Sequence, residues 1–359
     1  MSAIGTAPGA AREVERAAHT WRPRLGFVGV GWIGRHRMEA IVASGAADVV
    51  AVCDQAPDAV AAALAAAPGA AALDSLDAVL DAGVDGVVLA TPSALHAEQS
   101  VRALERGVAV FCQKPLARTA AETARVVDAA RAADRLLGVD LSYRHTEGMR
   151  RIRDLVRAGE LGEVYAVDLV FHNAYGPDKP WFFDPRLSGG GCVIDLGIHL
   201  VDLALWTLDF APVAAASGRL YARGVPLALP APGDGPAAVE DYAVAQLDLA
   251  TGATVQLACS WHLHAGVDAV IGAAFYGTRG GAALRNVGGS FYDFTAERFS
   301  GTRRETLSAP PDDWGGRAAV AWATALAAGA RFDPSAEPLV DVAAALDGIY
   351  GRPGARGAA

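Results

Sequence analysis

The stretch Phe-Val-Gly-Val-Gly-Trp-Ile-Gly occupies residues 27–34 and joins an apolar segment to a run with helical character. Three glycines at this spacing are typical of a turn that binds a dinucleotide. The first permits a sharp turn, the second lets the backbone approach a pyrophosphate, and the third lets the helix pack closely on the strand. The pyrophosphate would lie at the positive N-terminus of that helix. The turn therefore predicts cofactor contacts from Gly29, Gly31, Trp32, Ile33 and Gly34.

A second apolar segment, residues 49–53, ends at Asp54. A carboxylate at the end of the second strand of such a domain accepts hydrogen bonds from the adenosine ribose hydroxyls and repels a 2′-phosphate. The adjacent Gln55 and Ala56 carry no positive charge that could offset this repulsion. The sequence therefore favours NAD over NADP.

The composition limits the classes of partner. The chain has 359 residues, of which 52% are hydrophobic, and this length is sufficient for two domains. A net charge of −9 argues against binding to nucleic acid or to an anionic membrane, since both depend on clustered cations. We find neither an uninterrupted apolar run of the ~20 residues that a membrane span needs nor the apolar stretch of a secretory signal. We expect a cytoplasmic protein that acts on a small molecule.

The alternation of strands and helices predicts the first domain. Apolar segments at 25–30, 49–53, 86–90, 109–112 and 136–141 are separated by alanine-rich helical patterns. Such alternation is typical of a parallel sheet that is covered on both faces. We therefore expect a doubly wound α/β Rossmann domain over residues 24–142, preceded by a tail over 1–23.

The pattern beyond residue 143 indicates a second domain of a different class. One helix is followed by alternating segments at 163–172, 213–221, 241–249, 254–263 and 269–276, with a further helix at 192–208. Residues 143–350 are therefore expected to form an α+β domain with an open, largely antiparallel sheet. We expect its apolar open face to pack against another subunit, giving a homodimer or homotetramer. Residues 226–236 should be a surface loop, and 351–359 a mobile C-terminus.

Three groups of residues have simple structural interpretations. Five arginines suit the solvated face of one helix. Two histidines, two apart on a strand, lack a third ligand, and we expect no metal site. Four cysteines lie far apart in apolar segments and should be buried and reduced. These groups are Arg144, Arg150, Arg151, Arg153 and Arg157; His262 and His264; and Cys53, Cys112, Cys192 and Cys259.

Two strand ends in the first domain carry polar residues. Ligands of doubly wound sheets bind at the carboxyl ends of the strands, so these residues should face the cofactor. The histidine among them could instead bind only backbone or ribose, and the lysine could be a solvated loop residue. The candidates for cofactor binding are Thr91, Pro92, Ser93, His96, Gln113 and Lys114.

A helix in the second domain carries Asp195 and His199, which are four residues apart and should share one face. A carboxylate one turn before a histidine can orient the imidazole and raise its pKa. Such a histidine could take the proton from an alcohol. An ordinary surface ion pair would show the same spacing.

In their order and spacing, the motifs at 29–34, 90–96, 113–115 and 195–199 resemble the glucose-fructose oxidoreductase / inositol dehydrogenase / MocA family, and the resemblance extends over residues 25–350. It implies a Rossmann domain, an open-sheet domain and a nicotinamide cofactor. It also implies that Lys114, Asp195 and His199 act on a hydroxyl of a sugar or cyclitol. Gln113 departs from the family pattern, which has glutamate before the lysine. The lost negative charge should leave Lys114 less strongly held in its protonated form.

These features support three hypotheses. The first is an NAD-dependent dehydrogenase of a cyclitol, sugar or glycoside. The second is a redox-neutral enzyme that uses tightly bound NAD for elimination, epimerisation or glycoside cleavage through a keto intermediate. The third is a non-catalytic NAD-binding sensor, which would have no need of a proton acceptor. Further candidates for contact with a small polyhydroxylated substrate, beside Asp195 and His199, are Tyr143, His172, Asn173, Tyr175, Lys179 and Trp181.

Overall fold

The protein is described here by a computed structural model, which covers residues 21–228 and 238–352. The predicted tail at 1–23 and the predicted mobile segment at 351–359 therefore lie almost wholly outside the described residues. Most of the predicted loop at 226–236 lies outside them as well.

The first domain is a six-stranded parallel sheet with strand order β3-β2-β1-β4-β5-β6, which confirms the predicted Rossmann fold. Strands β4 and β5 are buried along their whole length, because helices cover both faces of the sheet. The elements are β1 Arg24–Val28, α1 Trp32–Ser44, β2 Asp48–Cys53, α2 Pro57–Ala66, β3 Ala71–Ala72, α3 Leu76–Asp81, β4 Gly86–Leu89, α4 Ser93–Glu105, β5 Ala109–Cys112, α5 Ala120–Ala133 and β6 Leu137–Val139.

The strand order indicates which edge of the parallel sheet would bind a ligand. Strand β1 lies between β2 and β4, so the chain reverses its direction of winding beside β1. Ligands of such sheets bind at this reversal, beyond the carboxyl ends of the strands. The glycine turn follows β1, Thr91 lies just after β4, and Gln113 follows β5, so all three lie at one edge.

The second domain is a nine-stranded sheet with strand order β15-β14-β13-β12-β7-β11-β10-β8-β9. Only the β7–β11 pair is parallel, so the predicted, largely antiparallel sheet is confirmed. The strands are β7 Val164–Asn173, β8 Val213–Ala222, β9 Val225–Pro226, β10 Tyr242–Leu249, β11 Thr254–Ser260, β12 Ala269–Gly277, β13 Gly281–Asn286, β14 Phe294–Ser300 and β15 Arg303–Ser308. The helices are α6 Glu147–Arg157, α7 Pro185–Ser188, α8 Ile198–Thr207, α9 Arg317–Ala327 and α10 Leu339–Ile349.

The single helix expected over residues 192–208 is in fact two segments. A π-helix spans Val193–Gly197, and α8 continues from Ile198. A π-helix has a wider turn than an α-helix, so residues four positions apart no longer lie on the same face. Asp195 and His199 are therefore not aligned with each other. The apolar stretch Pro185–Thr207 is long enough to cross a membrane by length and composition. However, 89% of its most apolar window is buried inside the protein, as expected of a core helix.

The open face of the sheet carries a polar row, because Gln246, Gln256 and Asp168 are paired side by side across β10, β11 and β7, and the exposed Val244 lies on the same face. Packing of this face against another subunit stays a prediction.

His262 and His264 lie in an irregular segment after β11, not on one face of a strand as the sequence suggested. One expectation about the arginines is corrected. Arg144 is not on the solvated face of the arginine-rich helix. It lies before α6 and bonds the buried carboxylate of Asp202.

Helix α9 packs against the first domain, although it lies within residues 143–350, the range predicted for the second domain. Trp322 packs on Phe111 with ring centroids 5.7 Å apart, and the same indole covers Gly86 and Gly138 of the parallel sheet. The two domains thus share chain segments, which fixes the position of one relative to the other. The boundary near residue 142 stays a prediction.

Candidate active site

The glycine turn has the geometry that a dinucleotide needs. Gly29 has φ +87°, and a Cβ there would lie 2.5 Å from the carbonyl carbon of Ala90. A Cβ on Gly34 would overlap the carbonyl oxygen of Gly29, whereas a Cβ on Gly31 would meet no protein atom within 4 Å. The first turn of α1 has no side-chain cap and no acidic residue, so its amide groups face an open space. The turn therefore fits a bound pyrophosphate.

Asp54 is anchored beside this turn. Its Oδ2 accepts a hydrogen bond from the backbone N–H of Val30 at 2.7 Å, and its Oδ1 accepts one from Ala56 at 2.9 Å. A carboxylate has about four acceptor positions, so two remain for ribose hydroxyls.

His96 contacts the backbone of two loops, which is one of the alternatives that the sequence left open. Its ring is 1% exposed, and its nitrogens lie 2.7 Å from the carbonyl oxygens of Pro115 and Thr91. The imidazole therefore ties the loop after β4 to the loop after β5. Thr91 and Pro92 stay partly exposed at the sheet edge, whereas Ser93 is buried.

Lys114 and Asp195 form the centre of the site. The ammonium of Lys114 donates to Asp195 Oδ1 at 2.7 Å and to the Asp195 carbonyl oxygen at 2.6 Å. Asp195 Oδ2 accepts a third bond, from the indole Nε1 of Trp261 at 3.0 Å. An ammonium has three donors, so Lys114 keeps one for a substrate oxygen. This carboxylate orients the lysine and not the histidine.

His199 differs from the expectation in two respects. Its Nδ1 is buried without a hydrogen-bond partner among the described residues, so Asp195 does not hold the imidazole. Burial lowers the pKa of His199 well below 6.5, and the charges of Lys114 and Arg37 lower it further. The predicted rise in its pKa is therefore wrong. The ring lies against Tyr143, with centroids 5.0 Å apart, and is neutral at neutral pH.

A buried group of three residues lies beneath the site. Asp140 Oδ2 accepts from Arg37 Nε and from Gln113 Nε2, both at 2.6 Å, and each of the three side chains is almost fully buried. Asp140 Oδ1 has no partner among the described residues. The negative charge that the resemblance places at position 113 is thus found on the neighbouring Asp140.

Replacing Gln113 by glutamate should therefore destabilise the protein. The new carboxylate would contact the buried carboxylate of Asp140, and ionisation of both groups is unfavourable. We therefore expect the free energy of unfolding at pH 7 to fall by about 1–3 kcal/mol. The loss should shrink as the pH falls and disappear below about pH 4, where the introduced carboxyl is protonated in the folded and the unfolded state. Urea denaturation at both pH values measures it. The double variant Gln113→Glu/Asp140→Asn is the matched control and should recover most of the stability; equal losses in both variants would refute the explanation.

Glu240 positions the π-helix that carries Asp195. This buried carboxylate accepts from the backbone N–H groups of Gly191 and Val193, both at 2.9 Å, and from the hydroxyl of Tyr350 at 2.7 Å. Gly191 is a close-approach position, since a Cβ would overlap the carbonyl oxygen of Glu240. The contact between Gly191 and the backbone of Glu240 therefore requires glycine, because any side chain at position 191 would collide with that carbonyl group.

Tyr350→Phe should lower the free energy of unfolding by about 1.5–3 kcal/mol, because a buried hydrogen bond to a charged group is lost. Chemical denaturation would measure this change. Tyr165→Phe is the control, since Tyr165 is 57% exposed and makes no such bond in the described residues. A loss of similar size in the control would show that the Glu240 contact is not the cause.

The predicted substrate residues fall into two sets. Tyr143 packs against His199, and His172 bonds Ser260 and stacks on Tyr242. Asn173 holds the backbone of Tyr175, whose hydroxyl bonds Asp268. Lys179 is 63% exposed in an ion pair with Asp178, and Trp181 stacks on Phe182. Tyr143 is thus beside the centre of the site. Tyr175 and Lys179, in contrast, have their polar groups bonded to Asp268 and Asp178.

The sequence interpretation missed Trp261, Asp140 and Arg37. Trp261 follows the end of β11, and Asp140 follows the end of β6. A polar or aromatic residue just beyond a strand end was the available signal for both. Arg37 lies one turn into α1 and gave no comparable signal. All four cysteines are buried and unpaired, as predicted, and Cys192 and Cys259 lie with their sulfurs 3.8 Å apart.

Comparisons with known proteins agree with this fold. Residues 23–141 match the model of the GFO/IDH/MocA oxidoreductase family, NAD-binding Rossmann fold, and residues 149–283 match that of the GFO/IDH/MocA C-terminal domain. Rhizopine catabolism protein MocA of Rhizobium meliloti is 32% identical over 57% of this chain and 64% of its own length. Inositol 2-dehydrogenase 3 of Saccharopolyspora erythraea is 34% identical over 54% of this chain and 55% of its own length. The chain thus spans less than two thirds of either relative.

A solved structure extends the likeness to the whole fold. Levoglucosan dehydrogenase in complex with NADH and L-sorbose superposes with a TM-score of 0.77 at 21% identity, over 92% of this chain and 96% of that protein.

Proposed function

Because the chain belongs to the GFO/IDH/MocA oxidoreductase family, we propose that it is an NAD-dependent dehydrogenase that oxidises or reduces a secondary hydroxyl of a cyclitol, sugar or glycoside. The observation that carries the proposal is the arrangement of Lys114 and His199. An oriented ammonium with one unused donor lies in the same site as an imidazole that is neutral at pH 7.

Each residue of the site is assigned a separate role. His199 takes the proton of the substrate hydroxyl, and it is ready to do so because its neutral form predominates. Lys114 donates its remaining hydrogen to the oxygen, which stabilises the developing alkoxide. Asp195 and Trp261 hold Lys114 in position. A nicotinamide held by the glycine turn and Asp54 would supply the hydride acceptor for oxidation, and the hydride donor for reduction.

NAD is proposed over NADP because of Asp54. Its carboxylate lies at the end of β2, where the ribose of the cofactor would lie, and Gln55 beside it carries no charge. The cofactor-binding set we propose is Gly29, Gly31, Trp32, Ile33, Gly34, Asp54, Thr91, Pro92 and Lys114; the buried Gln113 acts through Asp140 beneath the site.

The named activities of similar proteins support the substrate class. They include an inositol 2-dehydrogenase and a levoglucosan dehydrogenase, which act on a cyclitol and a sugar derivative. We also propose a cytoplasmic location, since four unpaired cysteines suit a reducing compartment. Self-association into a dimer or tetramer stays a prediction, and sedimentation velocity would test it.

The experiment is absorbance at 340 nm with purified protein, NAD or NADP, and a panel of inositols, free sugars, sugar nucleotides and glycosides. NADH formation by the wild type, but not by Lys114→Ala, would support the dehydrogenase. Absence of turnover from protein that retains NAD through purification would overturn it. Product analysis by mass spectrometry would then separate a redox-neutral conversion from a binding protein without activity.

A further inference from the structure

The three buried side chains beneath the site come from three different elements. Arg37 lies on α1, Gln113 follows β5, and Asp140 follows β6. They meet at one oxygen, because Asp140 Oδ2 accepts from Arg37 Nε and from Gln113 Nε2 at 2.6 Å each. Helix α1 begins at the glycine turn, and Lys114 directly follows Gln113 in the chain. The group therefore joins the proposed cofactor-binding helix to the loop that carries the lysine of the site.

This loop is anchored on both sides of Lys114. On one side, the amide of Gln113 donates to the carboxylate of Asp140. On the other side, the ring of His96 lies 2.7 Å from the carbonyl oxygen of Pro115. The lysine between these two anchors therefore has a fixed backbone. A displacement of Gln113 would move the ammonium relative to the carboxylate that it bonds.

Arg37 provides the opposite charge for a carboxylate that is deeply buried. Asp140 is 1% exposed and Arg37 is 6% exposed. An ionised carboxylate is costly to bury without a cation beside it, and among the described residues only Arg37 lies within ion-pair distance of Asp140. Without the guanidinium, this carboxylate would be left buried and unpaired, and it would move towards water. Gln113 bonds the same oxygen and would move with it.

The charge of Arg37 also acts on His199. Burial is the main cause that lowers the pKa of His199, and the charges of Lys114 and Arg37 lower it further. Lys114 faces the imidazole from the loop after β5, and Arg37 faces it from α1. The phenol of Tyr143 beside the ring is neutral, because burial raises its pKa, and Asp195 is already paired with Lys114. Loss of Arg37 would therefore let His199 take up a proton at a higher pH.

We propose that Arg37 is a positioning residue of the active site, which holds Lys114 in place through the contact of Asp140 with Gln113. Its charge adds a second effect, since it favours the unprotonated imidazole of His199. The kinetic consequences of this inference rest on the proposed function, whereas the position of Lys114 can be measured without a substrate.

Lysine spectra give that measurement, because Lys114 and Lys179 are the only lysines of the chain. In protein that carries ¹³C-labelled lysine, each gives one set of NMR signals, and Lys179→Arg assigns them. A fixed lysine has different chemical shifts for its two Hε protons, whereas a mobile one averages them. We expect separate shifts for Lys114 in the wild type and one averaged shift in Arg37→Met. Lys179, at 63% exposure, is the internal reference.

Three variants identify the route of the effect. Gln113→Leu breaks the link but keeps the pair of Arg37 with Asp140, so it should average the Lys114 shifts as Arg37→Met does. Arg37→Lys keeps a cation beside the carboxylate and should restore separate shifts. Arg153→Met is the control, because Arg153 is also largely buried and ion-paired but lies on α6. It should leave the Lys114 signals unchanged.

Kinetics with a substrate found in the 340 nm assay should show two changes. Arg37→Met should lower kcat about 10–100-fold, with a smaller change in KM, because a misplaced ammonium stabilises the alkoxide poorly. The acid limb of its pH profile should move to higher pH by about 1 pH unit. Gln113→Leu should lower kcat but leave the acid limb in place, since the guanidinium remains. A purely structural role of Arg37 would reduce the amount of folded protein without moving the acid limb.

Thermal denaturation and NADH titration show whether each variant is folded. If Arg37→Met is not, Arg37→Met/Asp140→Asn takes its place, because it leaves no unpaired buried carboxylate. It should also average the Lys114 shifts, since the amide at position 140 lacks the guanidinium that fixes it. Separate Lys114 shifts in the folded variant, or the same averaging in Arg153→Met, would overturn the positioning role. If no substrate is oxidised, the proposed function fails, and the lysine signals alone decide this inference.

Discussion

His199→Ala is expected to lower kcat for alcohol oxidation by about 10²–10⁴-fold, because the site loses the group that takes the hydroxyl proton. Binding of NADH should be unchanged, since the glycine turn and Asp54 lie on other elements. Steady-state kinetics and fluorescence titration with NADH measure the two effects. The variant also removes a buried imidazole that packs on Tyr143, so its stability is measured by thermal denaturation beside the kinetics.

The pH profile of the wild type provides a second readout. Because the pKa of His199 is lowered well below 6.5, the unprotonated base persists as the pH falls. The oxidation rate should therefore hold from pH 8 to pH 6.5 and decline only below that. A histidine whose pKa was raised by Asp195 would already lose activity above pH 6.5.

His145→Gln is the matched control for both readouts. His145 is also a histidine with a lowered pKa, about 4, caused mainly by burial and then by Arg150, but it lies outside the candidate site. Its replacement should leave kcat and the pH profile unaltered. If His199→Ala retained more than a tenth of wild-type kcat, His199 would not be the base.

Gly29→Ala is expected to reduce the stability of the protein, whereas Gly31→Ala is expected to reduce its affinity for NAD. At Gly29 the added Cβ would face the backbone of Ala90 and Thr91 at φ +87°. Strain of about 1–3 kcal/mol and overpacking of about 1–3 kcal/mol should together remove much of the stability of the domain. At Gly31 the Cβ meets no protein atom within 4 Å, and φ is −58°. Stability should therefore change by less than about 1 kcal/mol.

The second substitution should act on the cofactor alone. A methyl group at Gly31 would occupy space that the pyrophosphate needs, and we expect NAD affinity to fall by about 10–100-fold. Thermal denaturation and NADH titration of both variants separate the effects. Gly29→Ala should melt earlier, whereas Gly31→Ala should melt with the wild type and bind poorly. Normal NADH affinity in Gly31→Ala would contradict the assignment of this turn to the pyrophosphate.

Much of the fold could be predicted from the sequence, because its signals are local. The turn at 27–34 needs glycines for reasons of backbone conformation and close approach, and fully buried parallel strands read as continuous apolar runs. The strands β7, β8, β10, β11 and β12 alternate visibly because one face is in the core. The two-residue strands β3 and β9 and the strands β13, β14 and β15 were missed. The last of these is an exposed edge strand whose side chains alternate weakly, so no periodic pattern marks it.

The candidate site was only partly predictable, because its contacts cross between elements. The sequence by itself determined the nucleotide-binding turn, the lysine at the end of β5 and the acid and histidine near α8. Only the tertiary structure decided their pairing. The π-helix turned Asp195 towards Lys114 and Trp261, burial lowered the pKa of His199, and Asp140 supplied the charge absent at Gln113. Helix pitch and desolvation depend on the packed surroundings of a residue, and no spacing along the chain encodes them.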